Sequence, residues 1–175
     1  MDVRAFISIA PFVLAACAGA DGSVSAAPQG GMSVPFLING PNGEPHGFAT
    51  FFSEGPHAEI KVQVEGLSPG EHGIHLHAVG TCEGPAFQSA GGHWNPAGRK
   101  HGHLNPDGAH MGDLMNLAVG ADGRASATLH VGGDMADADG TSLVIHAKPD
   151  DYLTDPSGNS GDRIACAVLT RPAQP

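Results

Sequence analysis

The chain has 175 residues, of which 41% are hydrophobic, 5% aromatic and 15% charged, enough for one domain with a buried core. Acidic residues outnumber basic ones 18 to 8, and the net charge of -10 excludes a nucleic-acid binder that works through phosphate contacts. With 26 Gly and 14 Pro the chain is too heavily punctuated for a helical bundle and reads as short strands joined by turns. Histidine is the unusual residue: its count of 11 exceeds the 8 Lys and Arg together and points to metal.

The chain opens on an export signal. Arg4 is followed by an apolar run over residues 5–16, interrupted by Ser8 and Pro11. That run is too short to span a bilayer, which takes about 20 residues, and it has the form of a signal peptide over 1–16. Its end, Leu14-Ala15-Ala16-Cys17, resembles a bacterial lipobox, which would make Cys17 the lipidated mature N-terminus and attach the chain to membrane lipid. The alternative is an ordinary signal cleaved after Ala18, Ala20 or Ala27. Residues 17–31 follow as a flexible linker rich in Gly, Ser and Ala, and residues 32–171 form the folded domain. Export to the periplasm or cell envelope leaves Cys82 and Cys166 in an oxidising compartment, where they form a disulfide; two free buried thiols are the alternative. Such a bridge closes a loop of about 85 residues and is worth about 4.5 kcal/mol in the chain-entropy model.

The domain reads as eight strands. In residues 58–65, Ala58, Ile60, Val62 and Val64 alternate with Glu59, Lys61, Gln63 and Glu65, the period of a half-buried strand. Similar runs cover 32–39, 46–53, 72–79, 114–119, 124–131, 141–147 and 163–169, and Gly120-Ala121-Asp122-Gly123 forms a hairpin turn between two of them. No segment sustains a 3.6-residue period. The expected fold is all-β, an antiparallel sandwich or barrel. Two polar, Gly/Pro-rich segments, 81–113 and 148–162, fit no strand and are read as long functional loops.

The chemistry lies in the histidines. His75 and His77 sit two apart on one strand and so share a face, with Ile74 and Leu76 turned to the core. His93, His101, His103, His110 and Asp113 follow in the first long loop, and His146 lies on the strand 141–147. The loop donors His93, His101, His110 and Asp113 make a closed set of three imidazoles and a carboxylate, suited to a structural zinc. The strand donors His75, His77 and His146 are three imidazoles; with His93 they become a four-nitrogen site suited to copper. An imidazole has two ring nitrogens, so His93 can serve both sets, although spacing alone does not decide it.

These residues resemble the copper/zinc superoxide dismutases of the bacterial exported type. The stretches are Gly73-Ile74-His75-Leu76-His77, Gly91-Gly92-His93-Trp94-Asn95-Pro96, Lys100-His101-Gly102, His110-Met111-Gly112-Asp113-Leu114, Val144-Ile145-His146-Ala147 and Gly161-Asp162-Arg163-Ile164-Ala165-Cys166, in the family's order. The resemblance implies an eight-stranded Greek-key barrel. It implies copper on His75, His77, His93 and His146, zinc on His93, His101, His110 and Asp113, and His93 as the bridge. It implies the Cys82–Cys166 disulfide, Arg163 as an anion guide beside the copper, and Asp150 as the carboxylate joining one copper histidine to one zinc histidine. The implied reaction disproportionates superoxide anion to oxygen and hydrogen peroxide. Bacterial members occur as monomers and as dimers, so a homodimer stays open.

Some residues depart from the family or have a plainer reading. Trp94 stands where many members have Phe, His103 has no family role, and the channel lysines have sparse counterparts in Lys61, Lys100 and Lys148. His72 is expected to bond a backbone carbonyl, and His46, His57, His103 and His130 to be solvated. Met111 and Met115 read as core filler. Asp150 can also be read as a plain loop acid, and Arg163 as a structural arginine bonding loop carbonyls. The rival functions are a non-catalytic copper/zinc-binding module on the same barrel and a sugar-binding sandwich. The second has one Trp and one Tyr for stacking and leaves the ligand-type residues unexplained.

Overall fold

The structure is a computed structural model that describes residues 35–54, 57–133, 135 and 139–170. The signal peptide, Cys17, the linker and the first residues of the strand expected over 32–39 lie outside the described residues. The strands are β1 (Pro35–Asn39), β2 (Pro45–Glu54), β3 (His57–Val64), β4 (Gly70–His72), β5 (Ile74–His77), β6 (Leu117–Val119), β7 (Ala125–Gly132), β8 (Thr141–His146) and β9 (Arg163–Thr170). Seven form one antiparallel sheet in the order β5-β8-β9-β1-β2-β3-β7, and β4 pairs with β6. β6 also packs against β7, so the edges of the curled sheet approach one another through the β4–β6 pair.

The alternation read in β3 holds: Ala58, Ile60, Val62 and Val64 are buried, and they join Leu129, Val131, Leu143, Ile145 and Leu169 in one core. Each fully buried Val, Leu or Ile of this set contributes roughly 1.5–3 kcal/mol. The expected strand over 72–79 is divided at Gly73, because its first part pairs with β6 and its second with β8. Counting those two parts as one strand gives the eight of the barrel. The run expected over 114–119 pairs only at Leu117–Val119. The turn at 120–123 is closed by Gly120 donating to the Arg124 carbonyl at 2.8 Å, but the strands it joins pair with other partners rather than with each other.

β5 is an edge strand whose free side is covered by the first long loop. Trp94 donates to the Leu76 carbonyl, Leu76 to Gly112, and Ala78 to Gly92, at 2.8–2.9 Å. Covering the edge satisfies its backbone groups and sets His93 opposite His77 and Asp113 opposite His75. All four β5 residues are therefore buried, His75 and His77 included, where alternation alone predicts a half-exposed strand. The Cys82–Cys166 disulfide, with Cα atoms 5.8 Å apart, ties the start of this loop to β9.

Candidate metal centre

Two groups of side chains converge, and they share one histidine. His75, His77, His93 and His146 bring one ring nitrogen each within 4.8 Å of the others; His93, His101, His110 and Asp113 do the same with three ring nitrogens and a carboxylate oxygen. His75 and His77 come from β5 and His146 from the end of β8, where a register shift between Ile145 and His146 re-aims the last side chain.

The outward hydrogen bonds decide which nitrogens face inward. His77 donates from Nδ1 to the Gly91 carbonyl at 3.0 Å, and His146 from Nδ1 to the Gly161 carbonyl at 3.1 Å. His75 Nε2 is 2.8 Å from Asp150 Oδ2. The atoms left over are His75 Nδ1 and the Nε2 atoms of His77, His93 and His146, all buried and without a hydrogen-bond partner. Four converging orphan nitrogens are costly as they stand, because a buried polar atom without a partner loses its hydration uncompensated. They fit an ion that prefers imidazole.

The second group is built around Asp113. Its Oδ2 accepts from the backbone of Gly102 at 2.8 Å and of His110 at 3.0 Å, which fixes the carboxylate. Its Oδ1 then faces Nδ1 of His93, His101 and His110 at 2.8, 3.0 and 3.1 Å, and His93 Nδ1 and His110 Nδ1 are 3.4 Å apart. Tetrahedral zinc with bonds of about 2.0–2.1 Å needs ligand atoms roughly 3.3 Å from one another. His101 Nδ1 makes no hydrogen bond despite its close approach to Asp113, as an inward-facing ligand atom would.

Asp150 joins the two groups: Oδ2 meets His75 and Oδ1 meets His101 Nε2 at 3.0 Å. It is buried among these partners, so the plain loop-acid reading does not hold. Two residues that sequence reasoning missed hold it in place. Asn116 clasps the Asp150 backbone, accepting from its N–H at 2.9 Å and donating to its carbonyl at 3.0 Å. Asn116 in turn donates from its own N–H to the Tyr152 hydroxyl at 2.7 Å. The sequence carries no signal for either, since an Asn at the start of a short strand reads as a turn residue. Gly158 and Gly102 allow the loops to meet. At φ +62 a Cβ on Gly158 would strike Asp150 Oδ1, and at φ +99 one on Gly102 would strike the Tyr152 carbonyl.

Burial sets the protonation of the first group. It pulls His146 down to about 3, His93 to about 4 and His77 to about 2, and lowers His75. All four stay neutral at pH 7 with lone pairs available. For His101 burial also opposes charge, but the neighbouring Asp113 and Asp150 carboxylates win and lift it to about 9. Burial works the other way on those carboxylates and is outweighed by their hydrogen bonds, so both lie well below the usual range. Without a metal the second group therefore holds a proton that a cation must displace.

Arg163, at the start of β9, is half-buried and donates to the carbonyls of Phe87 at 2.6 Å and Gly91 at 2.7 Å. These are the loop-carbonyl contacts that the structural reading of this arginine expects. The same contacts hold its charge near His77 and His146, whose proton affinity it lowers. The disulfide fixes the loop that supplies both carbonyls.

The remaining candidates fall outside the two groups. His72 donates to the His146 carbonyl at 2.7 Å, as expected of a structural residue. His103 is exposed, yet its Nε2 lies 3.0 Å from the Asp113 carbonyl. His46 is half-buried and bonds the Glu65 carbonyl at 2.9 Å, so it is not a free surface residue. Met111 packs on the core, but Met115 is 61% exposed and is not core filler.

Residues 45–169 match the family described as Copper/zinc superoxide dismutase (SODC). The chain belongs to the copper/zinc superoxide dismutase family. It is 41% identical over 149 residues to a superoxide dismutase [Cu-Zn] of Caulobacter vibrioides, covering 78% of this chain and 85% of that one. Among solved structures, a superoxide dismutase-like protein of Bacillus subtilis superposes with a TM-score of 0.73 at 38% identity, covering 77% of this chain and 97% of that one. The Cu/Zn superoxide dismutase of Brucella abortus gives 0.63 at 33% identity, covering 78% of this chain and 99% of that one.

Proposed function

We propose that His75, His77, His93 and His146 hold copper, that His93, His101, His110 and Asp113 hold zinc, and that the chain disproportionates superoxide at the copper site. The observation that carries this reading is the convergence of four orphaned, buried, neutral ring nitrogens beside a closed three-imidazole, one-carboxylate set. Bound copper supplies the one-electron couple that turns two superoxide anions and two protons into oxygen and hydrogen peroxide; zinc has no second oxidation state and serves structure. His93 carries the proton chemistry. Its Nδ1 is committed to the Asp113 side, so Nε2 is the atom that takes up a proton and delivers it to the substrate anion. Arg163 attracts and orients that anion: it is permanently charged and preorganised by the Phe87 and Gly91 carbonyls. Asp150 keeps His75 and His101 in their orientations, as carboxylates behind metal-bound imidazoles do.

The reading extends to the cell. The signal-like run over 1–16 and Leu14-Ala15-Ala16-Cys17 support export to the periplasm or envelope, with lipid attachment at Cys17. The Cys82–Cys166 bridge fits that oxidising location. The assignment of ligands is tested by metal analysis of two variants. Asp113→Ala should lose zinc while keeping copper, and His77→Ala should do the reverse. Equal loss of one metal from both variants would make the division of ligands wrong.

A further inference from the structure

Six of the 11 histidines make the two groups above. His46, His72 and His103 each bond a backbone carbonyl. The side chains of the two that remain, His57 and His130, make no hydrogen bond or ion pair among the described residues, and both residues are exposed. They are not scattered. Both line one surface crevice of about 320 Å³, together with Phe52, Ala58, Glu59 and Lys61, on the outer face of the barrel.

The β-ladder puts them there. Glu59 of β3 is paired directly with His130 of β7, and His57 stands two residues before Glu59 on the same outward face. Directly opposed side chains in an antiparallel pair have Cβ atoms about 4.5–5.5 Å apart and diagonal neighbours roughly 7–8 Å, within the span of two imidazoles meeting at one ion. The three donors are not drawn into a ligand set as they stand. Closing them takes only side-chain rotation, at two exposed histidines and a half-buried Glu59, while β3 and β7 stay in register over eight residues. Lys61 holds Glu59: its Nζ is 3.1 Å from Oε1 and 5.0 Å from the centre of the Phe52 ring. That contact keeps the carboxylate on this face and leaves Oε2 for another partner.

We propose that His57, Glu59 and His130 form an accessory surface site for a divalent transition ion, taken through two imidazoles and a carboxylate, with water completing the coordination. This donor set selects ions that accept imidazole and binds Cu²⁺ more tightly than Ni²⁺ or Zn²⁺. The Lys61 ammonium opposes a cation so close by, so the internal groups fill first and this site last.

The test uses the protein with its internal groups loaded, titrated with Cu²⁺ alone and followed by calorimetry and copper electron paramagnetic resonance. One further equivalent is expected, with a signal distinct from that of the internal copper. It should vanish in His57→Gln/His130→Gln, weaken in Glu59→Gln, tighten in Lys61→Gln, and persist in His46→Gln and His103→Gln. The double variant should keep its melting temperature and its dismutase activity, because both histidines lie on the outer face. No further equivalent in the wild type, or one that survives His57→Gln/His130→Gln, would mean an adventitious ion only and overturn the proposal. Loading of the internal groups is measured separately, so a failure there falls on the proposed function and not on this site.

Discussion

Asp150→Asn is the substitution on which the two-metal geometry bears most sharply. Asp150 accepts on both sides, from His75 Nε2 at 2.8 Å and from His101 Nε2 at 3.0 Å, and Oδ1 also accepts from the Tyr152 backbone at 2.7 Å. An asparagine of the same shape accepts on one side only and turns an NH₂ toward an N–H on the other. One imidazole then loses its partner in a buried site, at a cost of about 1–3 kcal/mol. Oδ1 serves two N–H donors, His101 and Tyr152, whereas Oδ2 serves His75 alone, so the amide oxygen takes the Oδ1 position and the NH₂ faces His75. The copper-side ring therefore loses its partner. Copper affinity should fall about 10–100-fold, as when a partner behind a ligating histidine is removed elsewhere, and zinc affinity by less. Competition with a graded series of chelators, read by metal analysis, measures both constants. An Asp150→Asn protein that keeps wild-type copper affinity, or that loses zinc first, would refute the reasoning.

Three further outcomes follow from the same geometry. Arg163→Ala should lower kcat/KM about tenfold with metal content unchanged, since a charge in a cleft alters anion capture by roughly 10–10³-fold, and Arg163→Lys should recover part. A wild-type rate and salt dependence would remove Arg163 from the mechanism. The metal-free protein should lose stability as pH falls below about 6.5, because His77, His93 and His146 stay neutral when folded and take up protons when unfolded. The slope is about 1.4 kcal/mol per pH unit for each, while His101, lifted to about 9, works the other way and loses its contribution as pH rises from about 6.5 through 9. Urea unfolding of the metal-free protein at pH 5, 7 and 9 checks both signs, and a flat profile would contradict them. Cys17→Ser should move the protein from the membrane fraction to the soluble envelope fraction, and a wild type already fully soluble would favour an ordinary cleaved signal.

How far the sequence discloses this molecule depends on whether a feature is local. The alternation in residues 58–65 is a property of one strand, and the buried set Ala58, Ile60, Val62 and Val64 follows from it directly. The division at Gly73 is not local: it arises because 70–72 and 74–77 find different partners, β6 and β8. The complete burial of His75 and His77 depends on a loop laid over the edge of β5, which no period-two rule anticipates. At the site, ligand-type side chains are conspicuous by chemistry alone. Asn116 is invisible in sequence because it acts on the backbone of a residue 34 positions away. Met115 reads as core by residue type and is exposed because only Met111 of the pair faces the barrel.

The central claim is that the four-imidazole site turns over superoxide and does more than store a metal. It is tested most directly by the decay of a superoxide pulse in the presence of protein loaded with one copper and one zinc per chain, beside protein loaded with zinc alone. The account predicts fast decay, first-order in superoxide and proportional to protein, that requires copper and disappears in His77→Ala. Fully loaded protein that leaves the spontaneous decay unchanged would contradict it and make this chain a metal-binding barrel without turnover.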